Sequence, residues 1–158
     1  MVFDELYDHA EKRRCYMIYQ AIYSSAAEEA LSDVAIAEIL AVAHERNAVL
    51  GITGVLIFGE GIFLQILEGS QDAVTALLAK IASDQRHHDM KVFYRAEQAE
   101  RAFGDWRMAY ISPDPAEMSR WTGLRDMTTL VELRDEIERQ PDRVPGILIA
   151  IVETLSKT

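Results

Sequence analysis

The sequence predicts an α+β fold: a β-α-β-β-α-β chain with one added strand, and helices at its C-terminal end packed on the far face of the sheet. Three observations predict it. Strand-like period-two stretches and helix-like stripes alternate in that order between residues 16 and 111. The stretch Asn47–Gly69 reads as a helix end, a strand, a tight turn and a second strand. Both sides of the strands carry apolar residues, so a layer of two helices covers one side and leaves the other in need of a lid.

Taken in order, residues 1–14 place Phe3, Leu6, Tyr7 and Ala10 at helical spacing, which suits a short helix, read either as a weakly held leader or as an ordered packing or dimer contact. Tyr16 to Ser25 reads as the first strand, with Met17, Tyr19, Ala21 and Tyr23 on one face and Ile18, Gln20, Ile22 and Ser24 on the other. Ser32-Asp33 offers an N-cap for a helix whose stripe is Ile36, Ile39, Leu40 and Ala43, continued by Asn47. Gly51 ends that helix. Ile52–Phe58 and Ile62–Glu68 form a hairpin around Gly59-Glu60-Gly61. Ser70 caps a second helix with the stripe Val74, Leu77, Leu78 and Ile81. Arg86–Asp89 reads as a loop and Lys91–Ala96 as the fourth strand. Trp106–Tyr110 reads as a fifth, with Trp106, Met108 and Tyr110 on one face.

This order is the ferredoxin-like plan, with both helices on one sheet face. The lid for the other face comes from the end of the chain. Leu130, Leu133 and Ile137 suit one amphipathic helix. Pro145 opens another that carries Ile147, Leu148, Ile151, Val152 and Leu155. Pro113 and Pro115 punctuate the join. The expected division is therefore an N-terminal extension over 1–15, a core domain over 16–112 and a helical extension over 113–158.

Composition excludes several classes. Of 158 residues, 49% are apolar and 27% charged, which describes a globular chain with a full core. A formal net charge of −10 argues against a general nucleic-acid binder. There is no run of about 18 apolar residues, so no membrane span is expected, and the acidic start is not a secretory signal. One cysteine, Cys15, excludes an intramolecular disulfide and is compatible with a cytoplasmic location. His87-His88 lacks a third ligand, so no metal site is expected.

One residue is out of place. Gln65 lies mid-strand among Phe63, Leu64, Ile66 and Leu67, on the same face as Phe63 and Leu67. Unpaired, its buried amide would cost about 1–3 kcal/mol, so something polar must meet it. Tyr23, at the end of the first strand, and Asn47, at the end of the first helix, point to the same space between sheet and helices.

These residues carry a resemblance. Ile22-Tyr23-Ser24-Ser25, Asn47 four before Gly51-Ile52-Thr53-Gly54, Phe63-Leu64-Gln65-Ile66-Leu67-Glu68-Gly69 and Trp106-x-Met108 resemble, in order and spacing, the BLUF domains, flavin-binding blue-light sensors. The resemblance implies noncovalent FAD with its isoalloxazine ring between the two helices. By the same resemblance, Tyr23, Ser24, Arg46, Asn47, Ile52, Gln65, Lys80 and Asp84 are the cofactor-binding positions, and Tyr23, Gln65, Trp106 and Met108 the photoactive ones. Many members carry Arg where Lys80 stands, and Asn or His where Arg46 stands. Both changes keep a donor, but Lys80 lacks the bidentate reach of Arg toward phosphate.

The implied chemistry is electron and proton donation by Tyr23, with Gln65 relaying the proton because an amide both donates and accepts. The implied output is a signal to a protein partner through the Trp106–Met108 strand and the C-terminal helices, and self-association is expected from the apolar tail and leader. No catalytic residues and no output enzyme are expected, since only a helical tail follows residue 112. The competing readings are a small flavin-dependent or acylphosphatase-like enzyme, and a ligand-sensing ferredoxin-like module. A phosphate-cradling glycine loop beside an arginine, which the hydrolase needs, is not found.

Overall fold

The computed structural model describes residues 17–28, 31–124 and 127–157. The leader and Cys15 lie outside these residues. The elements are β1 (Ile18–Ala27), α1 (Asp33–Leu50), β2 (Thr53–Gly59), β3 (Ile62–Gly69), α2 (Gln71–Ala82), β4 (His87–Gln98), β5 (Ala109–Ile111), α3 (Pro115–Thr122), α4 (Leu130–Arg139), a 3₁₀ turn (Pro141–Arg143) and α5 (Val144–Ser156). The strands lie in the order β4-β1-β3-β2-β5. All neighbours are antiparallel except β2 and β5, which run parallel. The first four strands are the ferredoxin-like sheet, and β5 extends it at the β2 edge.

Local chemistry sets each boundary. Ser32 and Ser70 cap α1 and α2, each accepting a hydrogen bond from a backbone N–H in the first turn at 3.2 Å. The β2–β3 hairpin turns on Glu60 (φ 57°) and Gly61 (φ 76°), the pair of positive φ values a two-residue turn needs. Gly54 is required for a different reason. A Cβ there would sit 1.9 Å from the Ile66 carbonyl oxygen of β3.

The sheet divides two cores. On the helix side, Ala21, Tyr23, Leu56, Phe63 and Leu67 pack under Ala43 of α1 and Val74, Leu77 and Leu78 of α2. On the other side, Ile22, Val55, Ile57, Leu64 and Ile66 pack against Leu133, Ile137, Ile147, Leu148 and Ile151. The period-two alternation of β1, β2 and β3 therefore sorts side chains between two layers of helices. The C-terminal helices form the lid.

Three expectations are corrected. β4 starts at His87, not Lys91. His87 and His88 pair with Ala27 and Ala26 of β1, with a bulge where the register shifts and Asp89 takes φ 53°. Polar residues are tolerated there because β4 is a sheet edge. β5 is shorter than expected and excludes Trp106, Arg107 and Met108. A helix the sequence reading passed over, α3, begins at the Asp114-Pro115 join. Asp114 and Glu117 form a reciprocal capping box with Pro115 in the first turn.

Candidate functional site

The site is built on β3 and lies beneath the space between α1 and α2. Strand register places Tyr23 of β1 and Leu56 of β2 on either side of Gln65. The Tyr23 hydroxyl donates to Gln65 Oε1 in a short hydrogen bond. Gln65 Nε2 donates to Met108 Sδ at 3.2 Å. Protein groups thus meet both ends of the amide that the sequence left without a partner.

The C-terminal half of α1 holds the Arg107–Met108 backbone. Asn47 is buried, and its Nδ2 donates to Arg107 O at 2.6 Å. A turn earlier, His44 Nε2 lies 2.7 Å from Met108 O and donates to it. Met108 is thereby fixed by its sulfur to the sheet and by its carbonyl to α1.

Above these residues a groove runs between the helices. Ile39, Leu40 and Ala43 line it from α1, Ile81 from α2, and Leu56 and Phe63 from the sheet. Tyr23, Gln65, Met108, Arg46, Asp84, Arg86 and His87 supply its polar and polarisable groups. His87 bridges β4 to its neighbours, with Nδ1 2.7 Å from Ser25 Oγ and Nε2 2.6 Å from Ile81 O. Its ring lies 6.5 Å from that of Tyr23, centroid to centroid.

Electrostatics follow from burial. Desolvation pushes the Tyr23 phenol well above the usual tyrosine range, and the nearby Arg46 guanidinium opposes the shift. Partial burial lowers the Arg46 pKa, with Tyr23 opposing. Asp84 is held down at about 2, first by its hydrogen bonds from Arg86. Arg86 donates to it from the backbone N–H at 2.9 Å and from Nε at 3.0 Å.

The structure brings together Tyr23, Gln65, Met108, Arg46 and Asp84, with Asn47 just behind. Other expected site residues fall elsewhere. Lys80 is exposed and lines a shallower outer groove with Val49, Leu50, Ala76 and Leu77; Arg46 lines both grooves. Ile52 is packed in the helix-side core. Ser24 is buried but pairs with Leu64, and alternation turns it to the face opposite Tyr23.

Trp106 is the clearest correction. It packs with Phe103 and the C-terminal layer, on the other side of the sheet from Met108 and Tyr110. The cause is a tight turn. Trp106 N–H donates to Phe103 O at 3.0 Å and Gly54 N–H donates to Trp106 O at 3.0 Å, so strand alternation has not begun at Trp106. Residues missed by the sequence reading include His44, Arg86 and His87. His44 was findable, because it lies three residues before Asn47 on the same helix face. His87 falls in the expected Arg86–Asp89 loop, and its adjacency to His88, without a third ligand, gives no metal site. Among the described residues, no three His, Cys, Asp or Glu side chains converge as a metal site.

This arrangement suits a flat heteroaromatic ring with polar edges. Its walls are apolar, its floor ends in an amide, and two guanidinium groups stand at its margins. The comparison with protein families agrees. The family model for BLUF, sensors of blue-light using FAD, matches residues 18–109.

This chain belongs to the BLUF family.

Two solved structures span nearly the same fold. BlrB, a BLUF protein in its dark state, has 25% identity and a TM-score of 0.70 over 89% of this chain and 98% of its own. BlsA in a photo-activated state has 25% identity and a TM-score of 0.71 over 85% and 94%. The photoactivated adenylate cyclase subunit beta of Euglena longa is 39% identical over 87 residues, 54% of this chain but 10% of the cyclase subunit. The chain therefore spans about a tenth of the length of the curated relatives it matches. A BLUF domain is a sensor that uses FAD, and the donor set of the groove fits that cofactor. No helix among the described residues is long and apolar enough to cross a membrane.

Proposed function

We propose that this chain is a blue-light receptor that binds FAD noncovalently between α1 and α2, signals through a hydrogen-bond rearrangement at Gln65, and has no catalytic turnover of its own. The observation that carries the reading is the chain Tyr23 Oη–Gln65–Met108 Sδ at the floor of the groove. Arg46, Asn47 and Asp84 would hold the flavin edge and the inner part of its tail, and Lys80, on the outer groove, its phosphates. FAD would supply a ring that absorbs blue light and is a strong oxidant when excited.

The protein's part in the chemistry follows from its residues. Tyr23 is a protonated phenol at neutral pH, as the ordinary tyrosine value of 10.0 already ensures, and burial raises its pKa further. It can therefore release an electron and a proton together. Gln65 Oε1 already accepts from that hydroxyl and is placed to take the proton as Nε2 gives one up, while the electron would pass to a bound flavin. An amide that returns in a different tautomer or orientation exchanges its bonds to Tyr23 and Met108.

One exchanged hydrogen bond is worth about 0.5–1.5 kcal/mol, enough to bias two states by roughly two- to tenfold. A full switch needs a bistable element to amplify that bias. Met108 leads directly into β5 and then to α3 and the rest of the C-terminal layer. We assign residues 16–112 to light sensing and 113–158 to output, with a separate signalling protein as effector. The cyclase names of the relatives support a signalling role. Self-association through the apolar C-terminal tail and the N-terminal leader is part of the same reading.

The test is spectroscopic. Purified protein loaded with FAD should be yellow and should shift reversibly to longer wavelength under blue light. Tyr23→Phe and Gln65→Leu should keep the flavin and lose the shift. Protein that remains colourless after reconstitution with FAD overturns the reading, and bleaching in place of a red shift points to redox enzymology.

A further inference from the structure

A second cavity lies across the sheet, where β4 and the loop after it meet α5. Its volume is about 340 Å³, within the lower part of the roughly 300–1,000 Å³ typical of small-molecule sites. Val144, Pro145, Leu148, Ile149 and Val152 form its apolar wall, and Gln20, Tyr94 and Gln98 face them from the strands.

The polar side has a built-in mismatch. Glu68 of β3 is fully buried, and its carboxylate needs donors. Oε1 accepts from Phe103 N–H at 2.8 Å and from the Thr53 hydroxyl at 3.2 Å. Oε2 accepts from Ala102 N–H at 2.7 Å and from Gln20 Nε2 at 3.0 Å. This carboxylate fixes the Gln20 amide, since a flip would set oxygen against oxygen. The Gln20 carbonyl is left over. Its Oε1 is buried and has no hydrogen-bond partner among the described residues, and Gln20 itself is only 1% exposed. A ligand that brings an N–H or O–H to this atom recovers the desolvation cost.

The charges around the cavity select among such ligands. Glu100 and Glu153 also line it, both are exposed, and neither has an ion pair with a described residue. Arg101 lines it too, but its guanidinium donates to Gly51 O at 2.7 Å, Thr53 Oγ1 at 2.8 Å and Glu68 O at 3.2 Å. Two carboxylates against one engaged cation favour a cationic ligand over an anionic one.

We propose that this cavity is a binding site for a small amphipathic amine. The ammonium or amine N–H donates to Gln20 Oε1, and the apolar body lies along α5. The site is separate from the flavin groove, and its test is independent of light.

The experiment titrates the flavin-loaded protein in the dark with hexylamine, protonated at neutral pH, and with hexanoate. Binding is read from the NMR shifts of the Gln20 side-chain amide and the Leu148 methyls. The expected result is saturable shifts with hexylamine and affinity for hexanoate lower by roughly tenfold or more. Ile149 is 61% exposed, so Ile149→Trp can fill the cavity without unfolding the chain. That variant should keep its melting temperature and visible spectrum and lose hexylamine binding. Glu100→Gln with Glu153→Gln should weaken it several-fold. Absence of saturable shifts at millimolar hexylamine, equal affinity for hexanoate, or unchanged binding by the Ile149→Trp protein would overturn the proposal.

Discussion

The Tyr23–Gln65 bond can be measured through stability, apart from any optical response. Tyr23 is 4% exposed and Gln65 5%, so neither group has water as a ready substitute. Gln65→Leu leaves the Tyr23 hydroxyl without its acceptor, at a cost of about 1–3 kcal/mol. Tyr23→Phe leaves Gln65 Oε1 without its donor, at a similar cost, while Nε2 keeps its bond to Met108 Sδ. The double variant removes both partners and strands neither. Its destabilisation should therefore fall short of the sum of the singles by about 1–2 kcal/mol, well beyond the ~0.3–0.5 kcal/mol scatter of independent sites. The assay is urea unfolding of the four proteins in the dark at one saturating FAD concentration, with equal slopes as the check on two-state behaviour. Additivity within that scatter would mean that the two side chains are not energetically coupled. The proposed photochemical pair would then lose its structural basis.

Further predictions rest on other contacts. Gly54→Ala puts a methyl against the Ile66 carbonyl and should cost about 3 kcal/mol, the upper part of the usual overpacking range; a wild-type melting temperature would contradict that backbone approach. Met108→Leu conserves volume, so it should cost less than about 1.5 kcal/mol. It removes the sulfur acceptor of Gln65 Nε2, so the dark-recovery rate after illumination should change; an unaltered rate together with unaltered output would remove Met108 from the relay. Asp84 has a folded pKa of about 2 against the usual 3.8, so its contribution is present above the unfolded value and is lost as pH falls through the folded one. Thermal melts from pH 5 to pH 2 should show a small acid loss that Asp84→Asn removes. Its size should be below about 1 kcal/mol, because Arg86 and Asp84 are partly solvated. An unchanged acid slope in that variant would place the titrating group elsewhere.

Much of the architecture was legible because it is written in local periodicity. Alternation in β1, β2 and β3 and the stripes of α1 and α2 follow from bonds along the chain, and they sorted Ala21, Phe63 and Leu67 to the helix side before any packing was known. The same alternation set Tyr23 and Gln65 on one face, and the lone amide in an apolar strand announced that a polar partner existed. What periodicity cannot encode is where it stops. Trp106 left its expected face because Gly54, more than fifty residues earlier, holds its carbonyl. His87 joined a strand because β1 lay beside it to be paired.

The sequence by itself determined the order of elements, the two faces of the sheet and the presence of an unsatisfied amide at Gln65, since each depends on neighbours within a few residues. Only the tertiary structure decided what meets that amide. The β1–β3 register brings Tyr23 to one end of it, and α1, through His44 and Asn47, holds the Arg107–Met108 backbone that brings Met108 to the other. Register and helix docking are settled by contacts between residues far apart in the chain, which local periodicity does not encode.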